Sequence, residues 1–307
     1  MTAPLDLVVT GIGATLPPAG PGPSDVDWFD FRTQLDERGY KYVPRAAQML
    51  LAAARRAFDD AARPRFAADE DSEGCGVALA SNNCASRLHA SIDDAVRSGG
   101  LNTLRPATAP FFSVNLFLSR LAIEHGLKGF SLALHTPRTA GLETFEVGER
   151  AVRQGRASWL VLGATEDPLA DVEPESAGSD DGAVVFVAEP AGLRDIEQSY
   201  GSCVVRSLFV SPSGAADGVR ERMRAALAAI GADVPGLPVR LVCDDSPAAD
   251  AVAAALGGGT VDRELAGPGS LRPMAVVASL LRDRGEPAVV VGATATGNVA
   301  LAAVTPN

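Results

Sequence analysis

Ser131-Leu-Ala-Leu-His135-Thr-Pro-Arg138-Thr-Ala-Gly141-Leu-Glu143 is the stretch whose reading decides the fold. The apolar run from Ser131 to Leu134 reads as a strand, and Pro137 and Gly141 punctuate the turn that follows. Amphipathic helical spacing then continues through Glu143-Thr-Phe-Glu-Val-Gly-Glu-Arg-Ala-Val152. In such a strand-turn-helix the turn residue points into a cleft, beside backbone N–H groups and the positive end of the helix. A Cys in that turn would have a depressed pKa and attack thioesters. Arg138 stands there instead, and a guanidinium stays protonated and is a donor only.

Outward from the turn, the chain alternates strands and helices. Before it, Phe111 to Gly129 carries apolar residues at helical spacing that stop at Gly126, and after it Ala157 to Glu166 is an apolar strand. Residues 168–181 are rich in Asp, Glu, Pro, Ser and Gly and read as a mobile loop, followed by a strand over 181–189. Toward the amino terminus, Leu5 to Gly13 is a buried strand by pattern and Pro17 to Ser24 a loop. Helices are expected at 45–62 and 86–97, and a strand at 74–80. The second half repeats the alternation with strands at 203–210, 239–243, 287–292 and 298–304 and helices at 215–230, 247–256 and 273–284. This pattern implies an α/β chain with parallel sheets covered on both faces.

Several of these segments resemble the β-ketoacyl synthases of the thiolase superfamily. Their active-site turn usually reads Thr-Ala-Cys-Ala/Ser-Ser/Ala-Gly, and Thr136-Pro137-Arg138-Thr139-Ala140-Gly141 places Arg138 on the Cys. The opening Leu-Val-Val-Thr-Gly-Ile-Gly13 resembles the family's first strand. Gly126-Leu-Lys-Gly129 resembles the Gly-Leu-Arg/Lys-Gly before its nucleophile strand, and Leu162-Gly-Ala-Thr-Glu166 its Gly-Gly-Xaa-Glu strand end. The likeness is strong over 5–190 and fainter beyond. It implies a duplicated α-β-α-β-α thiolase-like fold, trimmed relative to a full ketosynthase. The expected division is an N-terminal half over 1–190 and a C-terminal half over 191–307, forming one compact unit.

Measured against that family, the catalytic set is missing as a set. Two His residues normally donate hydrogen bonds where charge builds during decarboxylation of the malonyl thioester. The first lies in a motif like His-Gly-Thr-Ser-Thr-Pro, whose counterpart here is Val242-Cys243-Asp244-Asp245-Ser246-Pro247. The second lies in Gly-His-Xaa-Xaa-Gly-Ala, whose counterpart is Leu265-Ala266-Gly267-Pro268-Gly269-Ser270-Leu271. Neither counterpart contains a His. His89 falls on a polar helix face, His125 at a helix end as a mild dipole stabiliser, and His135 beside the turn. Asp244 and Asp245 read as loop-lining residues that point apart. Arg138 is expected to be a structural residue that pairs with a carboxylate across an interface.

Composition sets further bounds. The 307 residues are 47% hydrophobic and 21% charged, which is ample for a core and unlike a disordered chain. A net charge of −11 argues against nucleic acid and anionic membranes as partners. Cys75, Cys84, Cys203 and Cys243 have no metal or disulfide spacing and read as buried thiols of a reducing cytoplasm. Neither a metal nor a cofactor is implied. No signal segment or membrane span is evident, so a cytoplasmic location is expected.

A ketosynthase-like chain without its Cys resembles the chain length factors of type II polyketide synthases. Arg in place of their usual Gln, and the short chain, resemble the partner subunits of highly reducing and aryl-polyene systems. The resemblance implies a non-catalytic subunit that heterodimerises with a Cys-containing ketosynthase, meets the acyl carrier protein only through that complex, and shapes the acyl tunnel. Family alignment places the tunnel wall before Asn115, with Leu104, Thr108, Pro110, Phe111, Phe112 and Leu116 as candidates. The alternative is a stand-alone acyltransferase or decarboxylase that works without the Cys-His-His set.

Overall fold

Alternation of apolar runs and amphipathic stretches produces the following elements: β1 (Leu7–Thr15), α1 (Phe31–Gln34), α2 (Arg45–Asp60), α3 (Asp69–Gly74), β2 (Cys75–Ala80), α4 (Ser86–Gly99), α5 (Asn115–His125), β3 (Ser131–Leu134), α6 (Ala140–Arg153), β4 (Trp159–Glu166), β5 (Gly182–Pro190), β6 (Gly201–Phe209), α7 (Ala216–Ala229), β7 (Val239–Cys243), α8 (Pro247–Ala255), β8 (Val261–Leu265), α9 (Leu271–Asp283), β9 (Ala288–Ala293) and β10 (Asn298–Pro306). This computed structural model describes residues 7–18, 28–36, 38–63, 69–100, 102, 106–169, 178–192, 199–213, 216–232, 236–257 and 260–307. Among them, no helix is long and apolar enough to cross a membrane.

The strands form one ten-stranded sheet in the order β3-β2-β4-β5-β1-β6-β10-β9-β7-β8. The order is internally symmetric. Counting from its first strand, each half runs 3-2-4-5-1, and the two halves meet where β1 pairs β6 over Leu7 to Val9. In each half the last three strands toward the margin are parallel, and the two nearer the join are antiparallel. The parallel sheets expected from the sequence are therefore mixed. The reason is local where the connection is described: β9 reaches β10 through residues 294–297 alone, a return that makes antiparallel neighbours, and β4 and β5 pair in the same sense.

Helices α6 and α9 each pack against strands of both halves and against one another, so the sheet folds round a central helical layer. Helix α2 covers β1, β4 and β5 from outside and α5 covers β2 and β3, while α7 and α8 cover the second half at β6 and β9. These five layers, α-β-α-β-α, give the duplicated thiolase-like architecture. Strand alternation supplies the three apolar clusters between layers: Val289 and Val291 face the outer cluster of the second half, and Val290 between them faces the central one.

Two differences from the sequence reading concern the segment before α5 and the strand β8. Phe111 and Phe112 lie in a 3₁₀ segment (Pro106–Phe112), because Pro110 lacks the N–H that a regular helix needs, and α5 begins at Asn115. The helix ends as expected at Gly126, whose φ of 67° satisfies the left-handed cap. Strand β8, with three charged residues in five, was not anticipated from hydropathy and appears where Val261–Leu265 pairs β7. The loop expected from Pro17 and most of that expected over 168–181 fall outside the described residues.

Candidate functional site

The turn between β3 and α6 is built by short-range contacts. Glu143, in the first turn of α6, accepts from Thr139 Oγ1 at 2.7 Å and from Thr136 Oγ1 at 3.1 Å, so both shoulders of the turn are pinned to one carboxylate. His135 donates through Nδ1 to the carbonyl of Ser81 at 2.6 Å, which ties the turn to the end of β2. Gly141 is required by packing: a Cβ there would stand 2.4 Å from the carbonyl of Ser270 at the start of α9. Between these anchors Arg138 adopts φ +57°, a left-handed backbone that a residue with a Cβ reaches at an expense on the order of 1 kcal/mol.

Arg138 is not a solvated helix-start residue. It is 8% exposed, and its guanidinium reaches across to the second half of the chain. Nη1 lies 3.0 Å from Asp244 Oδ2, while Nε and Nη2 donate to the carbonyl of Ala266 at 3.1 and 2.9 Å. The carboxylate sits in the same chain, not across an interface as expected. Asp244 follows β7 and Ala266 follows β8, so the guanidinium bridges the two loops that leave the ends of these strands. Asp244 Oδ2 also accepts from the Ala295 N–H at 2.8 Å. Asp245 points outward with its side chain 89% exposed, in line with the expectation that the two neighbours diverge.

A second buried group completes the site. Glu166 ends β4 and is fully buried. It accepts from the N–H groups of Asn82, Asn83 and Ser270 at 2.8, 2.6 and 2.8 Å, and from the hydroxyls of Ser270 and Ser81 at 2.8 and 3.2 Å. Burial nevertheless raises its pKa to about 7, since loss of hydration outweighs the donated hydrogen bonds. Nearby, Asp180 accepts from the N–H groups of Leu271 and Arg272 at 3.2 and 3.1 Å and so caps α9, and burial raises its pKa as well.

All four cysteines are buried; burial pushes Cys84 up to about 12 and raises Cys203 and Cys243 too, so none of these three is poised as a thiolate. His125 lies in the last turn of α5 as read, but its ring is buried against Phe58 with centroids 4.5 Å apart. His89 is exposed and stacks on Phe112 at 5.7 Å.

The wall candidates do not share one environment. Phe111 is 7% exposed and packs edge-on against Phe117 in the protein's own core, and Leu116 lies partly buried against that core. Phe112, Pro110 and Asn115 are exposed. Leu104 and the side chain of Thr108 lie outside the described residues. The groups that sequence reading missed as functional are Asn82, Asn83, Ser270 and the Ala266 carbonyl. Two adjacent Asn residues one position beyond the wholly apolar β2 were the signal for the first pair. A carbonyl acceptor leaves no trace in residue identity.

Comparison with known proteins agrees with this geometry. No curated protein sequence matches the chain. Among solved structures, the ishigamide ketosynthase/chain length factor superposes with a TM-score of 0.74 at 22% identity, covering 98% of this chain and 99% of that one. The AntDE:AntF type II complex, an acyl-carrier protein with its ketosynthase bound to the hexaketide, gives 0.74 at 13% identity over 99% and 100%. A β-ketoacyl synthase from Burkholderia phymatum STM815 gives 0.69 at 13% identity over 99% and 100%. At such identities the likeness is one of fold. The sequence pattern of the β-ketoacyl synthase N-terminal domain, however, matches residues 15–175, more than half of the 307. The chain therefore belongs to the β-ketoacyl synthase family.

Proposed function

We propose that the chain is a chain length factor: a non-catalytic subunit that pairs with a Cys-containing ketosynthase and shapes the tunnel in which its acyl chain grows. The observation that carries this reading is the Arg138 guanidinium spanning the loops after β7 and β8; the resemblance in sequence assigns Arg138 to the position of the family nucleophile and those loops to its catalytic His residues. A guanidinium paired with Asp244 and held by the Ala266 carbonyl is a donor only and cannot attack a thioester carbonyl. The fold likeness to a structure described as a ketosynthase/chain length factor supports the same role.

Heterodimerisation has physical support in β3. It ends the sheet, nothing among the described residues pairs its outer side, and Leu132 on it is 39% exposed. Helix α5 packs on β3 and adds Ile123 at 71% exposed, and the 3₁₀ segment before it adds Phe112 at 49%. These residues give a partner apolar surface to bury. Leu104, Thr108, Pro110, Phe112 and Asn115 are the proposed tunnel wall, with Phe111 and Leu116 setting the position of that wall from behind. A wall of fixed volume ends elongation because a packed channel does not accept two further carbons without cost. With a net charge of −11, this chain leaves docking of the acidic carrier protein mainly to the ketosynthase.

The test is co-expression with a Cys-containing ketosynthase, size-exclusion chromatography, and elongation of carrier-bound acyl chains. A 1:1 complex is expected, with turnover retained in an assembled Arg138→Met complex and product length altered by Phe112→Ala. Two results would overturn the proposal: turnover of acyl thioesters by this chain alone, or loss of turnover in an intact Arg138→Met complex.

A further inference from the structure

Strand β3 leaves one side of its main chain open, and the hydrogen bonds on its other side show which residues that concerns. The Val77 N–H donates to the Phe130 carbonyl at 2.7 Å, and the Ser81 N–H donates to that of Leu134 at 3.0 Å. Even-numbered residues here turn their polar main-chain groups toward β2. Ser131 and Ala133 therefore turn theirs outward, where no strand among the described residues lies. One position past the strand stands His135, with Nδ1 2.6 Å from the Ser81 carbonyl. A carbonyl can only accept, so that nitrogen carries the proton, and in the neutral ring Nε2 is left as an acceptor. The two ring nitrogens point to nearly opposite sides. With Nδ1 aimed at the end of β2, Nε2 is aimed away from it, toward the open margin. The residue is exposed, and Nε2 has no hydrogen-bond partner among the described residues.

The charged groups of this turn are committed elsewhere. Glu143 spends its two carboxylate oxygens on Thr136 and Thr139, and the Arg138 guanidinium is turned to Asp244 and the Ala266 carbonyl. Glu166 is buried and reaches His135 only through Ser81, whose hydroxyl it accepts from. The margin beside the ring is apolar, with Leu132 39% and Ile123 71% exposed. Such a margin specifies register weakly, because a partner strand slid by one pleat meets Leu134 in place of Leu132. A single acceptor fixed at its end removes that ambiguity, since the slid strand would cover Nε2 without giving it a donor.

We infer that His135 Nε2 accepts a hydrogen bond from a neutral N–H or O–H of the ketosynthase partner and fixes the register in which that subunit's strand adds to β3. The inference rests on the reading of the chain as one half of such a complex. His135 thereby selects among partners: the strand that joins must bring a donor, not a carboxylate, to the end of β3.

The test separates the two ring nitrogens. In His135→Asn the side-chain amide can still donate to the Ser81 carbonyl, but it presents nothing where Nε2 stood. Calorimetric titration with a Cys-containing ketosynthase is expected to show assembly weakened about tenfold in His135→Asn, the loss expected for one hydrogen bond left unmade in an interface. The urea midpoint of the variant alone should match the parent. The chain has three His residues, so the nitrogen signals of isotope-labelled imidazoles can be assigned one by one. His135 in the parent chain is expected to show a protonated Nδ1 and an unprotonated Nε2, and the Nε2 signal should move to a hydrogen-bonded position on assembly. Equal affinity of parent and variant overturns the inference, and so does weaker assembly matched by an equally lowered urea midpoint. An Nδ1 without its proton, or an Nε2 signal that does not move in the assembled complex, overturns it with the parent chain alone, should the variant fail to fold. Failure to form any complex sinks the subunit reading and this contact with it; a normal complex indifferent to His135 sinks the contact only.

Discussion

The two margins of the ten-stranded sheet are opposites. At one end, β3 is Ser131-Leu-Ala-Leu134, uncharged, with Ser131 and Leu132 exposed. At the other, β8 is Val261-Asp-Arg-Glu-Leu265, and each of its charges is engaged: Asp262 by Arg240, Arg263 by Asp250 at 2.6 Å, and Glu264 by Arg272 at 2.5 Å. Both strands occupy the same place in their halves. Charges along a margin discourage another chain from adding a strand, and their absence permits it. The symmetric topology thus carries asymmetric margins: one is guarded by charge, and the other would accept a further strand.

The sharpest way to break this comparison is to exchange the character of the margins. Leu132→Lys is expected to weaken the complex with the ketosynthase by at least about a hundredfold, because a charge would be buried in a strand-to-strand contact. Leu265→Lys at the other margin should leave affinity unchanged. Calorimetric titration of the two variants side by side measures both effects, and equal losses would mean that the margins are not functionally distinct.

The margins differ, but the seam between the halves is a shared structure, and two further expectations concern it. Arg138→Met leaves Asp244 buried without its cation and should lower unfolding stability by about 3 kcal/mol, read from urea denaturation. The double variant Arg138→Met/Asp244→Leu should recover most of the loss, since replacing both members of a buried pair avoids the lone charge. A single variant as stable as the parent would show that the guanidinium does not join the halves.

Glu166 gives the smallest effect. Its carboxyl titrates at about 7 in the fold against an ordinary value of 4.5, so the folded chain binds more protons than the unfolded one between those values. Stability contributed by this group is therefore present below pH 4.5 and lost as pH rises toward 7, by about 1.4 kcal/mol for each pH unit. Urea midpoints measured across that window should fall with pH, and Glu166→Gln should flatten the slope. An unchanged slope would assign the pH dependence to other groups.

Much of this architecture was legible in the sequence because it rests on local rules. Apolar runs bounded by Gly or Pro gave β1, β2, β4 and β5, and the turn at 135–139 declared itself by Pro137, Gly141 and helical spacing beyond. Strand β8 was hidden because its outward charges erase the apolar signature; what makes it a strand is register against β7, a long-range property. The mixed sheet direction was hidden for a similar reason, since it depends on where loops return. At the site, residue identity exposed what Arg138 fails to do, but not what it holds. Asp244 and Ala266 lie more than a hundred positions away in sequence, and nothing local couples them to the turn.

The left-handed backbone at Arg138 bears on whether a nucleophile could stand in this turn. The turn keeps a geometry that presents a side chain to the cleft, so Arg138→Cys would put a thiol in the right place. It would also strand the Asp244 carboxylate beside that thiol, where negative charge opposes thiolate formation and the seam loses its clasp. Introducing His at Asp244 first leaves the guanidinium facing a neutral or positive ring. Each single step toward a working nucleophile passes through a weaker fold with no activity to compensate. The guanidinium acts as a ratchet, and re-arming this subunit would require the turn and both opposing loops to change together.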